Sequence, residues 1–237
     1  MSKKLKLFFV YLIIIHISLV IVLLKPDFAH RLQSKLGHEN SAPELTPHFK
    51  RMLSYHKRID GNVPDGAVIF IGDSITQGLA VIAVSPKSVN YGIGSDTTIG
   101  VLERIPAYKS LSHAKAIIIA IGVNDLRRRD NDEIIKNYKQ ILKKLPENIP
   151  IIANAILPVD EEIRNQTRRN DRISSLNIAL NSICDGYKNV YFVNLSKQLI
   201  DSGNNLADSY HVGDGIHLNT KGYNVWIKEL KKALKNA

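Results

Sequence analysis

The sequence predicts a three-layer α/β/α domain on a mainly parallel sheet, preceded by one N-terminal transmembrane helix. Short apolar runs without polar alternation recur along the chain, as strands covered on both faces require. Helical patterns fall between those runs, and such alternation builds a sheet clothed by helices. Ahead of them, Leu7 to Leu24 carries no formal charge and follows Lys3, Lys4 and Lys6.

The 237 residues, 44% of them hydrophobic, suit one domain of ordinary size plus an appendage. As a helix, residues 7–24 would extend about 27 Å, close to the thickness of bilayer hydrocarbon. A cleaved signal peptide is the rival reading, but its apolar region is usually shorter, and the exit sequence "KPDFAH" lacks an A-x-A-like site. Residues 1–24 therefore read as an uncleaved anchor. Lys25, Arg31 and Lys35 nearly balance the lysines before the span, so charge does not set its orientation; a periplasmic or extracellular main domain is the expectation. From Lys25 to about Thr46 the chain turns polar, with Pro26, Pro43 and Pro47, as a stalk does. We take 25–60 as linker and leading helix, and 61–237 as the globular domain.

The strand candidates are "AVIFIG" (67–72), "SVNYG" (88–92), "AIIIAIG" (116–122), "IPIIANAI" (149–156) and "VYFVNL" (190–195). Helices are expected over Asn131–Leu145, with Ile134, Ile135, Tyr138, Ile141, Leu142 and Leu145 on one face, and over Ile173–Cys184. The last helix starts at a cap, Asn219 or Thr220, and Tyr223, Trp226, Ile227, Leu230 and Leu234 recur at helical spacing as core residues. Lysine and arginine outnumber aspartate and glutamate by 32 to 22, a formal +10. No recognition motif accompanies that charge, so nucleic acid is not an expected partner and the basic residues read as solvated faces. Cys184 is the single cysteine, so no internal disulfide forms.

In parallel sheets ligands bind beyond the carboxyl ends of the strands, and the chain turns polar at those ends here. Gly72-Asp73-Ser74 comes after the first strand, Asn90-Tyr91-Gly92-Ile93-Gly94 after the second, and Gly122-Val123-Asn124-Asp125 after the third; Asp214-Gly215-Ile216-His217 precedes the final helix. Each has a bland reading: Ser74 as an N-cap, the glycines as turn residues, Asn124 and Asp125 as an Asx turn, His217 as structural. Together they supply the parts of acyl transfer. Ser74 is a weak nucleophile that needs a base, His217 can take and return its proton, and Asp214 can fold back to Nδ1 to hold the tautomer. The backbone amides of Ser74 and Gly92 and the side chain of Asn124 can donate to an oxyanion. Asp73 and Asp125 read as loop support. The polar segment 157–172 reads equally as a substrate-side rim and as a solvated loop.

These four blocks, in this order, resemble the SGNH (GDSL) hydrolase family over residues 66 to 236, with Ser74, Gly92, Asn124 and His217 as the four named residues and Asp214 as the triad acid. The resemblance implies a flavodoxin-like sheet of five parallel strands and cleavage of carboxylic esters or thioesters without metal or cofactor. It leaves open the acyl chain and the alcohol, whether a small molecule, a glycan or a lipid, and whether transfer replaces hydrolysis. Two other classes are weighed. A nucleotide-binding module would use "GIGSDT" as its phosphate loop, but Thr97 stands at the third glycine position and the loop comes after the second strand. A binding domain without catalysis would keep the fold and lack an activated serine. Oligomeric state leaves no signal in the sequence.

Overall fold

The computed structural model describes residues 2–23 and 44–237, which belong to two compact units divided between Pro43 and Glu44. The first contains α1 (Lys3–Leu23), whose apolar side chains, Leu7, Ile13 and Leu19 among them, stand exposed. Among the described residues no helix is long and apolar enough to cross a membrane. Lysines 3, 4 and 6 charge the start of α1, and Leu24, the end of the expected span, lies outside the described residues. The transmembrane part of the expected fold is therefore without structural support. Most of the expected stalk also lies outside them.

The second unit contains α2 (Pro47–Asp60), within the span the sequence gives to linker and leading helix. Its Phe49, His56 and Asp60 are buried. The Asp60 carboxylate accepts from Tyr91 Oη at 2.9 Å, Ser110 Oγ at 2.6 Å and the Lys109 amide at 2.7 Å. A buried carboxylate bonded this fully ties the helix to the sheet rather than destabilising it.

Five strands come next: β1 (Val68–Gly72), β2 (Ser88–Gly92), β3 (Ala116–Ala120), β4 (Ile151–Asn154) and β5 (Val190–Val193). All neighbours pair in parallel, in the order β2-β1-β3-β4-β5, and β1 is buried along its whole length. This is the five-stranded parallel sheet the sequence predicts. β3 stops two residues short of the apolar run because Gly122, at φ +128, turns the chain off the sheet. The chain runs outward from β1 to β2 and then crosses back to β3, so strand order reverses beside β1, where such sheets place their ligands. Register sets Gly72 level with Gly92 on one side and with Ala120 on the other. Three strands thus end side by side.

The connecting helices are α3 (Ser74–Gln77), α4 (Thr98–Arg104), α5 (Asn131–Lys144), α6 (Arg169–Cys184), α7 (Ser196–Leu199) and α8 (Thr220–Asn236). Asp130 caps α5 by accepting from the Glu133 amide, and Ile134, Tyr138, Ile141 and Leu142 are buried. α6 begins a turn before its apolar pattern, where Arg172 donates from Nε to Asn131 Oδ1 at 2.6 Å and from Nη1 to Leu126 O at 2.7 Å. Asn219 caps α8 through bonds from the Lys221 and Gly222 amides, and Trp226 is core. Its indole N–H donates to Asn154 Oδ1 at 2.9 Å, the bond a buried indole needs.

Candidate active site

Ser74 is not the cap of α3. Asp73 is, with Oδ1 accepting from the Ile75 amide at 2.9 Å, and Ser74 takes the first helical position, where a backbone N–H has no intrahelical partner. The tight exit from β1 requires Gly72: a Cβ there would lie 2.1 Å from Thr76 Oγ1 and 2.3 Å from Ala120 O. Tyr223 of α8 adds a bond from its hydroxyl to Ile75 O at 2.8 Å. Strand, cap and helix together fix the serine at the rim.

Beneath it lies a buried cation that no sequence pattern announced. Arg104 of α4 is fully buried and donates from Nη2 to Gly72 O at 3.0 Å, from Nη1 to Tyr91 O at 2.6 Å, and from Nε to Asp96 Oδ2 at 2.8 Å. One guanidinium therefore binds the ends of β1 and β2 and the loop beyond β2, using the fixed fork of donors that lysine lacks. Burial raises the Asp96 carboxyl to about 6, against the opposing pull of Arg104.

His217 and Asp214 meet Ser74 from the far end of the chain. His217 Nε2 lies 2.8 Å from Ser74 Oγ, and Nδ1 lies 2.5 Å from Asp214 Oδ2. Asp214 Oδ1 also accepts from the Ile216 and His217 amides, at 3.0 and 2.9 Å. Partial burial raises the Asp214 carboxyl, but the bonds from the His217 ring and from these two amides outweigh it and hold the group down at about 2. An ionised Asp214 keeps the ring proton on Nδ1, which leaves the Nε2 lone pair facing the serine hydroxyl.

The expected oxyanion donors divide. Asn124 Nδ2 donates to Asp96 O at 3.0 Å, which occupies one of its two amide hydrogens. The Gly92 N–H is already engaged, donating to Asn90 Oδ1 at 2.8 Å. Gly92 lacks a side chain for a different reason: a Cβ there would lie 2.3 Å from the Gln77 backbone nitrogen, so its bareness lets α3 pack on β2. The next turn carries the free donor. The Asp96 amide bonds to Ile93 O at 3.1 Å and closes a turn with Ser95 at its third position, φ +63, a conformation usually given to glycine. Gly94 N–H is tied to Gln77 Oε1 at 2.6 Å and Asp96 O to Asn124, while the Ser95 N–H between them makes no hydrogen bond among the described residues. Sequence reasoning misses Ser95 because a serine gives no hint of positive φ. The Asp96 carboxylate of the same loop is buried and accepts from the Thr97 amide at 2.9 Å, a negative charge where a phosphate loop would present its amides.

Asp73 and Asp125 are loop support, as the sequence suggests. Asp125 is buried and accepts from the Thr98 amide at 3.0 Å, from Thr98 Oγ1 at 2.5 Å and from Arg129, which also binds Glu44 through Nη2 at 2.7 Å.

The model of the GDSL-like Lipase/Acylhydrolase family matches residues 70–225, a span that includes Ser74, Ser95, Arg104, Asn124, Asp214 and His217. The chain belongs to that family. Its GDSL fold is shared with a protein from Streptococcus pneumonia described as a platelet activating factor, at TM-score 0.76 and 26% identity over 89% of this chain and 100% of that one. It is also shared with a Bacteroides fragilis protein described as an acylhydrolase, at TM-score 0.66 and 21% identity over 78% of this chain and 96% of that one. An acetylxylan esterase from Geobacillus stearothermophilus superposes at TM-score 0.58 and 17% identity, over 71% of this chain and 95% of that one. Comparison with curated proteins gives no match.

Proposed function

We propose that this GDSL protein is a serine hydrolase of carboxylic esters working through Ser74, His217 and Asp214. The observation that carries the reading is the continuous hydrogen-bonded line from Asp214 through His217 to Ser74, joining residues 143 apart in sequence. His217 Nε2 takes the hydroxyl proton as Ser74 Oγ attacks the ester carbonyl, then gives it to the departing alcohol. The acyl group is left on Ser74, and water activated by the same imidazole releases it. Negative charge on the tetrahedral intermediate meets the Ser74 and Ser95 amides and the Asn124 side chain, in place of the expected Gly92 donor.

A short acyl group suits the site. The cavity between the residues flanking Ser74 and the ends of β3 and β4, walled by Asp73, Ile75, Val123, Ile156, Leu157 and Trp226, offers only about 20 Å³, about the room of one water and too little for a long acyl chain. Membrane attachment through residues 7–24, with the catalytic unit outside the cytoplasm, rests on the uncharged apolar run alone; partition of the full chain between membrane and soluble fractions tests it.

The direct experiment is Ser74→Ala assayed with p-nitrophenyl esters of increasing chain length. Turnover should vanish in a variant that melts like the parent, and the parent should prefer acetyl to octanoyl. Equal activity in the variant would refute the nucleophile, and preference for long chains would refute the short acyl group.

A further inference from the structure

The loop that delivers Asp214 is built around a second, buried histidine. His211 pairs with Leu218 across the base of the loop, and the Val212 amide bonds to His217 O at 3.0 Å, so residues 211–218 form a closed hairpin. The His211 ring turns into that hairpin and is almost fully buried, with 2% of its side chain exposed. Its Nδ1 accepts from the Gly213 amide at 2.9 Å and from the Gly215 amide at 3.3 Å. These are the amides of the two residues on either side of Asp214. Both glycines sit in the left-handed region, at φ +95 and +73, which glycine takes without steric cost and which turns both amides toward the ring.

Asp160, Asp208 and His211 bring ligand atoms within 4.8 Å of one another, a spacing that also suits a divalent cation. The ring's own bonds argue otherwise. A nitrogen that accepts two N–H groups carries no proton, so a neutral ring keeps its proton on Nε2 and presents a donor, where a metal needs a lone pair. Nε2 faces Asp208 Oδ1 at 3.3 Å and Asp160 Oδ2 at 3.6 Å, with neither in line for a hydrogen bond. Asp160 in turn holds the loop from outside, its amide donating to Gly215 O at 2.8 Å.

We propose that His211 is a positioning residue that aims the Asp214 carboxylate at His217 by gripping the two amides that flank Asp214. This rests on the reading of Ser74, His217 and Asp214 as the catalytic line. The ring acts through its Nδ1 acceptor, and an asparagine can place an oxygen there while phenylalanine and glutamine cannot.

The test compares His211→Phe, His211→Gln and His211→Asn in the full chain. With p-nitrophenyl acetate, His211→Phe and His211→Gln should lose about 100-fold in kcat with KM unchanged, the scale of a small misplacement of a catalytic group. His211→Asn should recover most of that loss. Glutamine keeps a polar side chain, so the result stands even where phenylalanine fails to fold. Proton NMR reads the geometry without turnover: the far-downfield resonance of the His217 Nδ1 proton should persist in the parent and in His211→Asn, and vanish in His211→Gln. Parent-like kcat in His211→Gln, failure of asparagine to rescue, or an unchanged resonance would each overturn the proposal. So would loss of parent activity on EDTA treatment with recovery on adding zinc, the behaviour of a metal site. A parent that hydrolyses no ester yet shows the expected resonance pattern would defeat the hydrolase reading and leave the positioning role standing.

Discussion

The proposed nucleophile and its proposed base are held in opposite ways. Ser74 lies at the end of a strand buried along its whole length and is backed by the fully buried Arg104 and Asp73. Asp214 and His217 ride on a loop with 39% and 43% of their side chains exposed, kept in place by backbone amides and the His211 ring. The serine's position is thus a property of the sheet, paid for in buried charge, while the loop's position is local and built from hydrogen bonds. Their titrations run in opposite directions. Burial, with lesser repulsion from Asp96 and Asp125, lifts the Asp73 carboxyl to about 7 despite the bond from the Ile75 amide. Asp214 sits at about 2, where hydrogen bonds overcome burial.

The contrast is tested first on the loop, where the effect on activity is largest. Asp214→Asn should preserve the fold and lower kcat by about 10⁴-fold, because the amide favours the wrong imidazole tautomer. A loss under tenfold in steady-state assays would mean that the carboxylate does not hold the ring. On the sheet side the damage should appear as stability. Arg104→Met leaves the buried Asp96 and the carbonyls of Gly72 and Tyr91 without their donor, a change that costs about 3–5 kcal/mol for a broken buried pair. Urea melts of the variant would read that loss, and a melt like the parent's would show that the guanidinium is dispensable.

A smaller effect separates the two regions by pH. An acid whose folded pKa is raised keeps its proton longer in the folded chain, so its contribution is full below about pH 4 and is lost as pH rises through 7. Asp73→Asn keeps the acceptor for Ile75 and removes that titration, so the fall in melting temperature between pH 4 and 7 should be shallower than in the parent. Asp214 has the reverse sign: its contribution is present above about pH 4 and fades as pH falls towards 2. Identical pH slopes in parent and Asp73→Asn would remove the charged half of the comparison.

The strands were legible because β1 and β3 are continuous apolar runs, and α5 and α8 because their buried residues repeat at helical spacing. Ser74, Asn124, Asp214 and His217 were legible because each stands just after a strand or just before the last helix in a block of polar residues. Gly92 misled because a glycine can be bare for packing as well as for approach, and only the Gln77 backbone beside it tells which. Arg104 and His211 were invisible for another reason. One is a single basic residue in a helix and the other a histidine in a polar loop, and their meaning comes from carbonyls and amides that the fold brings to them. The leading helix was legible, but its ties to the sheet were not, because they run through polar groups such as Asp60, which hydrophobic patterning does not register.

The central claim is that one hydroxyl is activated. Incubating the purified full chain with a fluorophosphonate and mapping the adduct by peptide mass spectrometry tests it most directly. The expected result is a single phosphonylated site at Ser74, lost in His217→Ala. An adduct on another residue, or none in a preparation that hydrolyses esters, would contradict it.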